Sequence, residues 1–324
     1  MAPKVLVTGS AGQIGAELVP YLRQRYGNDR VVAAVHKAQG SPLLKAGPVE
    51  VLEVSDSSAL DRIVKKYAID TIYHLAAVLS ATGENNPQLA WQINMDGLRN
   101  VLDVARTDGV PKVFWPSSIG VFGPDAPRRM APQTAALNPT TMYGVTKVAG
   151  ELLCNYYFLK YGLDVRCLRY PGLISSEAPP GGGTTDYAVE IFYAALEKGR
   201  YACFLREDTV LPMMYMPDAL RATVRLMEAP RADVRLHSGY NLAAISFSAG
   251  EIAAEITKHV PGFSVTYSPD SRQKIADSWP MSIDDSEARR DWGWIHEYDL
   301  AKMASDMLAK LGRRMGGDGK TFNP

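Results

Sequence analysis

The sequence predicts an α/β protein with a doubly wound parallel sheet and a smaller C-terminal lobe. Three observations carry that expectation. Apolar runs of strand length alternate with helix-length patterns through the first half of the chain, the first run enters a glycine-rich turn, and the alternation weakens after about residue 175. With 324 residues and 46% hydrophobic content, the chain can fill a sizeable core.

Strands are expected at Val5 to Thr8, Val31 to Val35, Val49 to Val54, Thr71 to Leu75, Val113 to Pro116 and Val165 to Tyr170. Runs such as VLV and VVAAV lack period-two alternation, which suits strands covered by helices on both faces. The covering helices start near Gly12, Ser57, Pro87 and Thr140. The stretch SSEAPPGGGTTDYA, from Ser175, is expected as a mobile loop rather than a core element. Helical patterns follow at Tyr187 to Lys198, Asp218 to Glu228, Ala249 to His259 and Asp299 to Leu311. The chain thus divides into a sheet-bearing domain over 1–175, a smaller mixed lobe over 176–315 with some segments returning to the first domain, and a tail over 316–324 expected to fray.

Thirty-five basic residues balance thirty-five acidic ones, so no long-range field gathers nucleic acid or an anionic membrane. A small-molecule substrate is expected. No signal-peptide pattern and no apolar run of about eighteen residues is visible, so the expectation is a soluble, cytoplasmic protein. Cys154, Cys167 and Cys203 are too scattered for a disulfide framework or a zinc site, and no metal is expected. They read as small buried hydrophobes.

The first strand runs into Gly9-Ser-Ala-Gly12-Gln13-Ile14-Gly15 and then a helical pattern. One glycine allows the sharp turn, one lets backbone approach a pyrophosphate, and one lets helix pack on strand, while the helix N-terminus offers free N–H groups. Placed at the first strand of an alternating chain, this spacing predicts a Rossmann-type dinucleotide site. Glu53 and Asp56, in VLEVSD, fall where the sheet edge would meet the adenine amino group.

Two tyrosines have a lysine four residues later, Tyr143 with Lys147 and Tyr156 with Lys160, each pair on one helix face. Only Tyr143 follows a serine pair, Ser117 and Ser118, that closes a strand at the sheet's carboxyl edge. Tyr156 and Lys160 are expected as core and surface. A tyrosine with pKa about 10 is a poor base near pH 7, and lowering it by about three units takes roughly 4 kcal/mol. An ammonium at ~4 Å supplies only about 1 kcal/mol in bulk water but about 4 kcal/mol at an effective dielectric of 20. Lys147 is therefore expected in a partly dry site, aided by a nicotinamide cation, with Ser118 holding the substrate oxygen.

These residues resemble the extended short-chain dehydrogenase/reductases, the NAD-dependent epimerase/dehydratase-like family, in the glycine loop, the serine and YxxxK. A narrower resemblance, to the short-chain type of threonine 3-dehydrogenases, runs through HLAAVLSATGENNP, INMDGLRNVL, PSSIGVFG, PTTMYGVTKVAGE, RYPGLIS, PGGGTTDYA and SWPMSIDDSEARRDWGW. It covers nearly the whole chain. It implies NAD-dependent oxidation of L-threonine at Cβ to 2-amino-3-oxobutyrate, in a homodimer. It also implies that Gly9, Gly12, Gln13, Ile14 and Gly15 hold the pyrophosphate, Leu75, Ala76 and Ala77 the nicotinamide-side ribose, and Leu173 the carboxamide. Asn94 matches the family's asparagine, Ser118, Tyr143 and Lys147 the catalytic set, and Ser80, Thr184 and Thr185 the substrate-side hydroxyls.

The chain departs from the pattern at the end of the second strand, where VVAAVHK lacks the usual acid and His36 and Lys37 follow. Near the third strand's end, Glu53, followed by Val54, stands where an aspartate is usual. NAD is expected as the preferred cofactor, with weaker rejection of NADP. The rivals are a nucleotide-sugar epimerase or dehydratase, disfavoured by Ile119 where dehydratases carry an acid, and a non-catalytic dinucleotide sensor, disfavoured by the retained tyrosine and lysine.

Overall fold

A computed structural model describes residues 2–37, 45–179, 181 and 183–315. The expected tail over 316–324 lies outside them. Six of the parallel strands fall where the apolar runs place them: β1 (Val5–Thr8), β2 (Val31–Val35), β3 (Val49–Val51), β4 (Thr71–His74), β5 (Lys112–Ser118) and β6 (Asp164–Tyr170). Residues 31–33 register with 5–7 on one side of β1, and 71–74 with 5–8 on the other. The neighbours Val5 and Val7 face one helical layer and Leu6 the opposite one, and all three are buried. That double burial is why the strand reads as a continuous apolar run.

β3 is shorter than expected. Leu52 leaves the ladder after a last bond from its N–H to Val35 O (2.9 Å), and Asp56 then caps α2 (Ser57–Tyr67) through Ala59 N. Glu53 and Val54 are thereby freed from the strand.

α1 (Gln13–Tyr26) follows the glycine turn. Beyond β4 come α3 (Ser80–Asn85), which the sequence reading missed, and α4 (Pro87–Trp91), capped by Asn86. The helix expected near Pro87 does not run on regularly. A π turn at Gln92–Asp96 separates α4 from α5 (Gly97–Thr107), and such turns gather at functional sites. α6 (Met142–Tyr161), capped by Thr141, lies close on the sheet because Gly150 leaves room for the Trp115 ring, which a Cβ there would meet at 2.3 Å.

The second half contributes β7 (Gly172–Ile174), α7 (Tyr187–Lys198), β8 (Arg200–Cys203), β9 (Val210–Tyr215), α8 (Met216–Glu228), β10 (Tyr240–Asn241), β11 (Ile245–Ser248), α9 (Ala249–His259), β12 (Ser264–Tyr267), α10 (Arg272–Ser278), α11 (Ser286–Trp292) and α12 (Leu300–Met315). β10 completes the seven-stranded sheet in the order β10-β6-β5-β4-β1-β2-β3, and α8 packs against α1. Small sheets β11-β9-β7 and β12-β8 frame the lobe above. The segment from Ser175 to Asp186 has no strand or helix among its described residues, yet Ser175, Ser176, Thr184 and Asp186 are buried, so it is anchored into the lobe rather than standing open.

Chain order reverses between β1 and β4, which opens a crevice at their carboxyl ends. Most of the predicted site residues gather there.

Candidate active site

Gly9, at φ +67°, sits where a Cβ would lie 2.6 Å from Ala76 N, and a Cβ on Gly15 would lie 2.4 Å from Gly9 O. Only glycine lets the turn and the β4 end close together. Gly12 caps α1 with no side-chain bond, so the first-turn N–H groups of the helix are left for an anionic partner. Beside this turn a cavity of about 480 Å³ is lined by Gly9, Gly12, His36, Glu53, Val54, Leu75, Ala76 and Ala77. The bare glycine cradle, the uncapped helix end and the adjoining cavity fit a dinucleotide.

His36 Nδ1 lies 2.8 Å from Glu53 Oε2. A carboxylate from just beyond β3 thus lies beside the residue that follows β2, because β2 and β3 are parallel neighbours whose ends emerge together. Lys37 is exposed and does not line the cavity.

A second cavity, of about 160 Å³, continues past Leu75 and Ala77. Gln13, Ile14, Ser80, Ser118, Tyr143, Lys147, Leu173, Thr184 and Thr185 all line it. The structure also adds Asp186 and Trp279 to its wall. Trp279 closes α10 and enters from a part of the chain whose sequence segment gave no hint of position. Asp186 accepts hydrogen bonds from Gly181 N (2.6 Å) and Gly183 N (2.8 Å). A wider groove of about 550 Å³ between α1 and α8 contains none of the predicted residues.

Three of those residues meet at the junction of β5 and α6. Ser118 ends β5, and its Oγ accepts from Gly120 N (3.1 Å) and hydrogen-bonds the Tyr143 phenol. A Cβ on Gly120 would lie 3.2 Å from the Tyr143 ring, so this glycine, unnoticed in the sequence, lets the ring approach. Lys147 lies one turn on. Its Nζ donates to Pro116 O (2.6 Å), 4.4 Å from the Trp115 ring centroid and 5.4 Å from that of Tyr143.

Lys147 is 2% exposed, and burial pushes its ammonium down to about 8. Burial raises the Tyr143 phenol, with the bond to Ser118 opposing it. The dry setting expected for the lysine is present, but among the protein's own groups desolvation outweighs what lowers the phenol. A positive charge brought into the cavity would act in the needed direction.

Asn94, on the π turn, ties the crevice to the same helix. Its Oδ1 accepts from Val78 N (2.8 Å), while Nδ2 donates to Val78 O (3.1 Å) and to Thr146 Oγ1 (3.1 Å). Thr146 in turn donates to Tyr143 O (2.8 Å). Sequence reasoning also missed His74, which is buried beneath the glycine turn with Nδ1 2.8 Å from Thr8 Oγ1. Burial, then the Lys147 charge, pushes it down to about 3, so it is neutral.

Tyr156 is not core. It is 46% exposed on the outer face of α6, with its phenol oxygen accepting from Lys160 Nζ (2.7 Å), well away from the crevice.

The family model described as the NAD dependent epimerase/dehydratase family matches residues 5–243. The mitochondrial L-threonine 3-dehydrogenase of Bos taurus is 48% identical over 306 residues, 94% of this chain and 82% of that one. Among solved structures, the GalE-like L-threonine dehydrogenase of Cupriavidus necator in its holo form is 51% identical, with a TM-score of 0.94 over 95% of this chain and 100% of that one. The L-threonine dehydrogenase of Clostridium difficile is 49% identical, with a TM-score of 0.94 over 97% and 98%.

Proposed function

The chain belongs to the NAD dependent epimerase/dehydratase family, and we propose that within it the protein oxidises L-threonine at the Cβ hydroxyl to 2-amino-3-oxobutyrate with NAD. The observation that carries this reading is the meeting of Ser118, Tyr143 and Lys147 in one cavity with Ser80, Thr184, Thr185 and Asp186. Asp186 is the carboxylate and Lys147 the ammonium of that wall. An amino-acid zwitterion would find an anion for its ammonium group, and hydroxyls for its carboxylate. Relatives named for L-threonine at about half identity over nearly the whole chain support the same substrate.

Bound NAD would accept the hydride from Cβ on its nicotinamide ring. Tyr143 Oη takes the hydroxyl proton as the C–H electron pair departs, leaving a carbonyl. Ser118 holds the substrate oxygen against the phenol, and Lys147, fixed by Pro116 O, favours the phenolate by its charge in a dry pocket. Asn94 and Thr146 steady the first turn of α6, on which Tyr143 sits. Gly9, Gly12, Gln13, Ile14 and Gly15 would hold the pyrophosphate, Glu53 with His36 the adenosine end, and Leu75, Ala76, Ala77 and Leu173 the nicotinamide end.

We place a homodimer contact on the outer face of α6, where Val145, Leu152, Tyr156 and Leu159 form an exposed apolar stripe at helical spacing, near exposed Leu89 and Trp91. A cytoplasmic location fits the three cysteines, all buried and free. No helix among the described residues is long and apolar enough to cross a membrane.

The test is purified protein with NAD and L-threonine, followed by the absorbance of the reduced nicotinamide. Turnover is expected, abolished in Tyr143→Phe with dinucleotide affinity retained and nearly unchanged in Tyr156→Phe. Turnover of a nucleotide sugar in place of L-threonine would overturn the reading.

A further inference from the structure

α1 is stitched to the strand leaving the crevice at two points one helical turn apart. Gln13 Nε2 donates to Leu173 O (3.4 Å), and Glu17 Oε1 accepts from Ser175 Oγ. Residues four apart share a helix face and residues two apart share a strand face, so the two contacts form one seam. Ser175 is fully buried, and its Oγ also accepts from Glu177 N (3.0 Å) and Ala178 N (3.0 Å). The hydroxyl has one proton and two lone pairs. With both lone pairs taken by amides, its proton has to go to Glu17.

We propose that Glu17 is a positioning residue whose carboxylate, through Ser175, forms a charge-dependent latch between the helix of the glycine turn and the segment carrying Thr184 and Thr185. The segment begins at the hydroxyl Glu17 holds, and α1 begins at the turn a dinucleotide would contact. Order on the substrate side is thereby tied to the cofactor side. The bond is strongest when the carboxylate is ionised.

Glu17 is poised to change charge near neutrality. Burial, its largest influence, lifts it to about 7, Ser175 opposes that rise, Glu177 adds to it, and Lys310 and Arg314 oppose it. From α12, Lys310 Nζ also lies 2.8 Å from Asp306 Oδ2, and Asp306 accepts from the Tyr215 phenol of β9. Arg314 donates to the carbonyls of Ser176 and Glu177 on the segment itself. The latch is therefore engaged above about pH 7 and weakened below it.

The substrate part of this inference rests on the threonine reading, and the structural part does not. Hydrogen exchange at the amides of Glu177 and Ala178 needs no turnover. After correction for intrinsic rates, their protection should rise in the wild type between about pH 6 and about pH 8. In Glu17→Gln it should be flat and about tenfold lower at the upper pH, the loss expected of one charge-assisted hydrogen bond. Ser175→Ala should abolish the same pH dependence, and the double variant should be no worse than the worse single one. The KM for L-threonine should rise about tenfold in Glu17→Gln with the Kd for NAD unchanged. Wild-type protection and pH dependence surviving in Glu17→Gln, or additive losses in the double variant, would overturn the latch. Protection as expected without threonine turnover would leave the latch standing and remove the threonine reading instead.

Discussion

Replacing Lys147 by methionine should trade function for stability in a way that pH exposes. The ammonium is buried at the foot of the crevice and held down to about 8 from 10.5 by desolvation. A base with a lowered folded pKa destabilises the fold wherever both states are protonated, which is below about 8 here. The penalty fades as pH rises, because the unfolded chain keeps a proton that the folded one has already lost. At 1.36 kcal/mol per pKa unit, the penalty is about 3 kcal/mol at pH 7 and about 1 kcal/mol at pH 9.5. Lys147→Met also removes the donor to Pro116 O, but that loss does not depend on pH. Denaturant unfolding of both proteins at the two pH values therefore measures the buried charge alone. The wild type should gain about 2 kcal/mol on the variant between them. The variant should not oxidise substrate at either pH. Parallel stability curves would refute the argument, since they would mean that the lysine stays well hydrated and titrates alike in the folded and unfolded chain.

Gly120→Ala places a methyl group 3.2 Å from the Tyr143 ring and 3.4 Å from Ser118 Oγ. The ring must give by a few tenths of an ångström, and kcat should fall roughly tenfold with little change in dinucleotide Kd; an unchanged kcat would mean that the ring's place is not critical. At the adenosine end, Glu53→Gln removes the carboxylate that pairs with His36, while exposed Lys37 stays. The ratio of kcat/KM for NAD over NADP should drop roughly two- to fivefold, the worth of a half-exposed charge, and the effect should shrink with added salt. A ratio unmoved by this change would place discrimination elsewhere.

Features that rest on neighbours along the chain were legible in the order of its residues. The glycine spacing from Gly9 to Gly15 specifies its turn locally, because Gly9 takes a positive φ and a Cβ on Gly15 would collide with the backbone of Gly9 and Ser10. Five of the apolar runs became covered strands since each is long enough to cross the sheet and too uniformly apolar to show a wet face, whereas β3 stops after three residues with Val49 and Val51 exposed. Serine before the active helix, and tyrosine and lysine one turn apart on it, are likewise statements about adjacent residues. Which distant groups share a space is settled by the folding of the chain. Glu53 meets His36 because β3 ends beside β2, so a carboxylate following the third strand lies next to the end of the second. Tyr156 lies on the same helix as Tyr143, yet it faces outward; its rotation around the axis was readable, but which side of the helix would be covered was not. The end of β3 after Val51 and the π turn around Asn94 were not visible in local propensity. Asp186 and Trp279 reach the cavity wall from opposite ends of the C-terminal lobe. Glu17 and Ser175 are joined across 158 residues. Such pairings leave no periodic trace, because a hydrogen bond between two remote side chains constrains their positions in space and says nothing about their spacing in the chain.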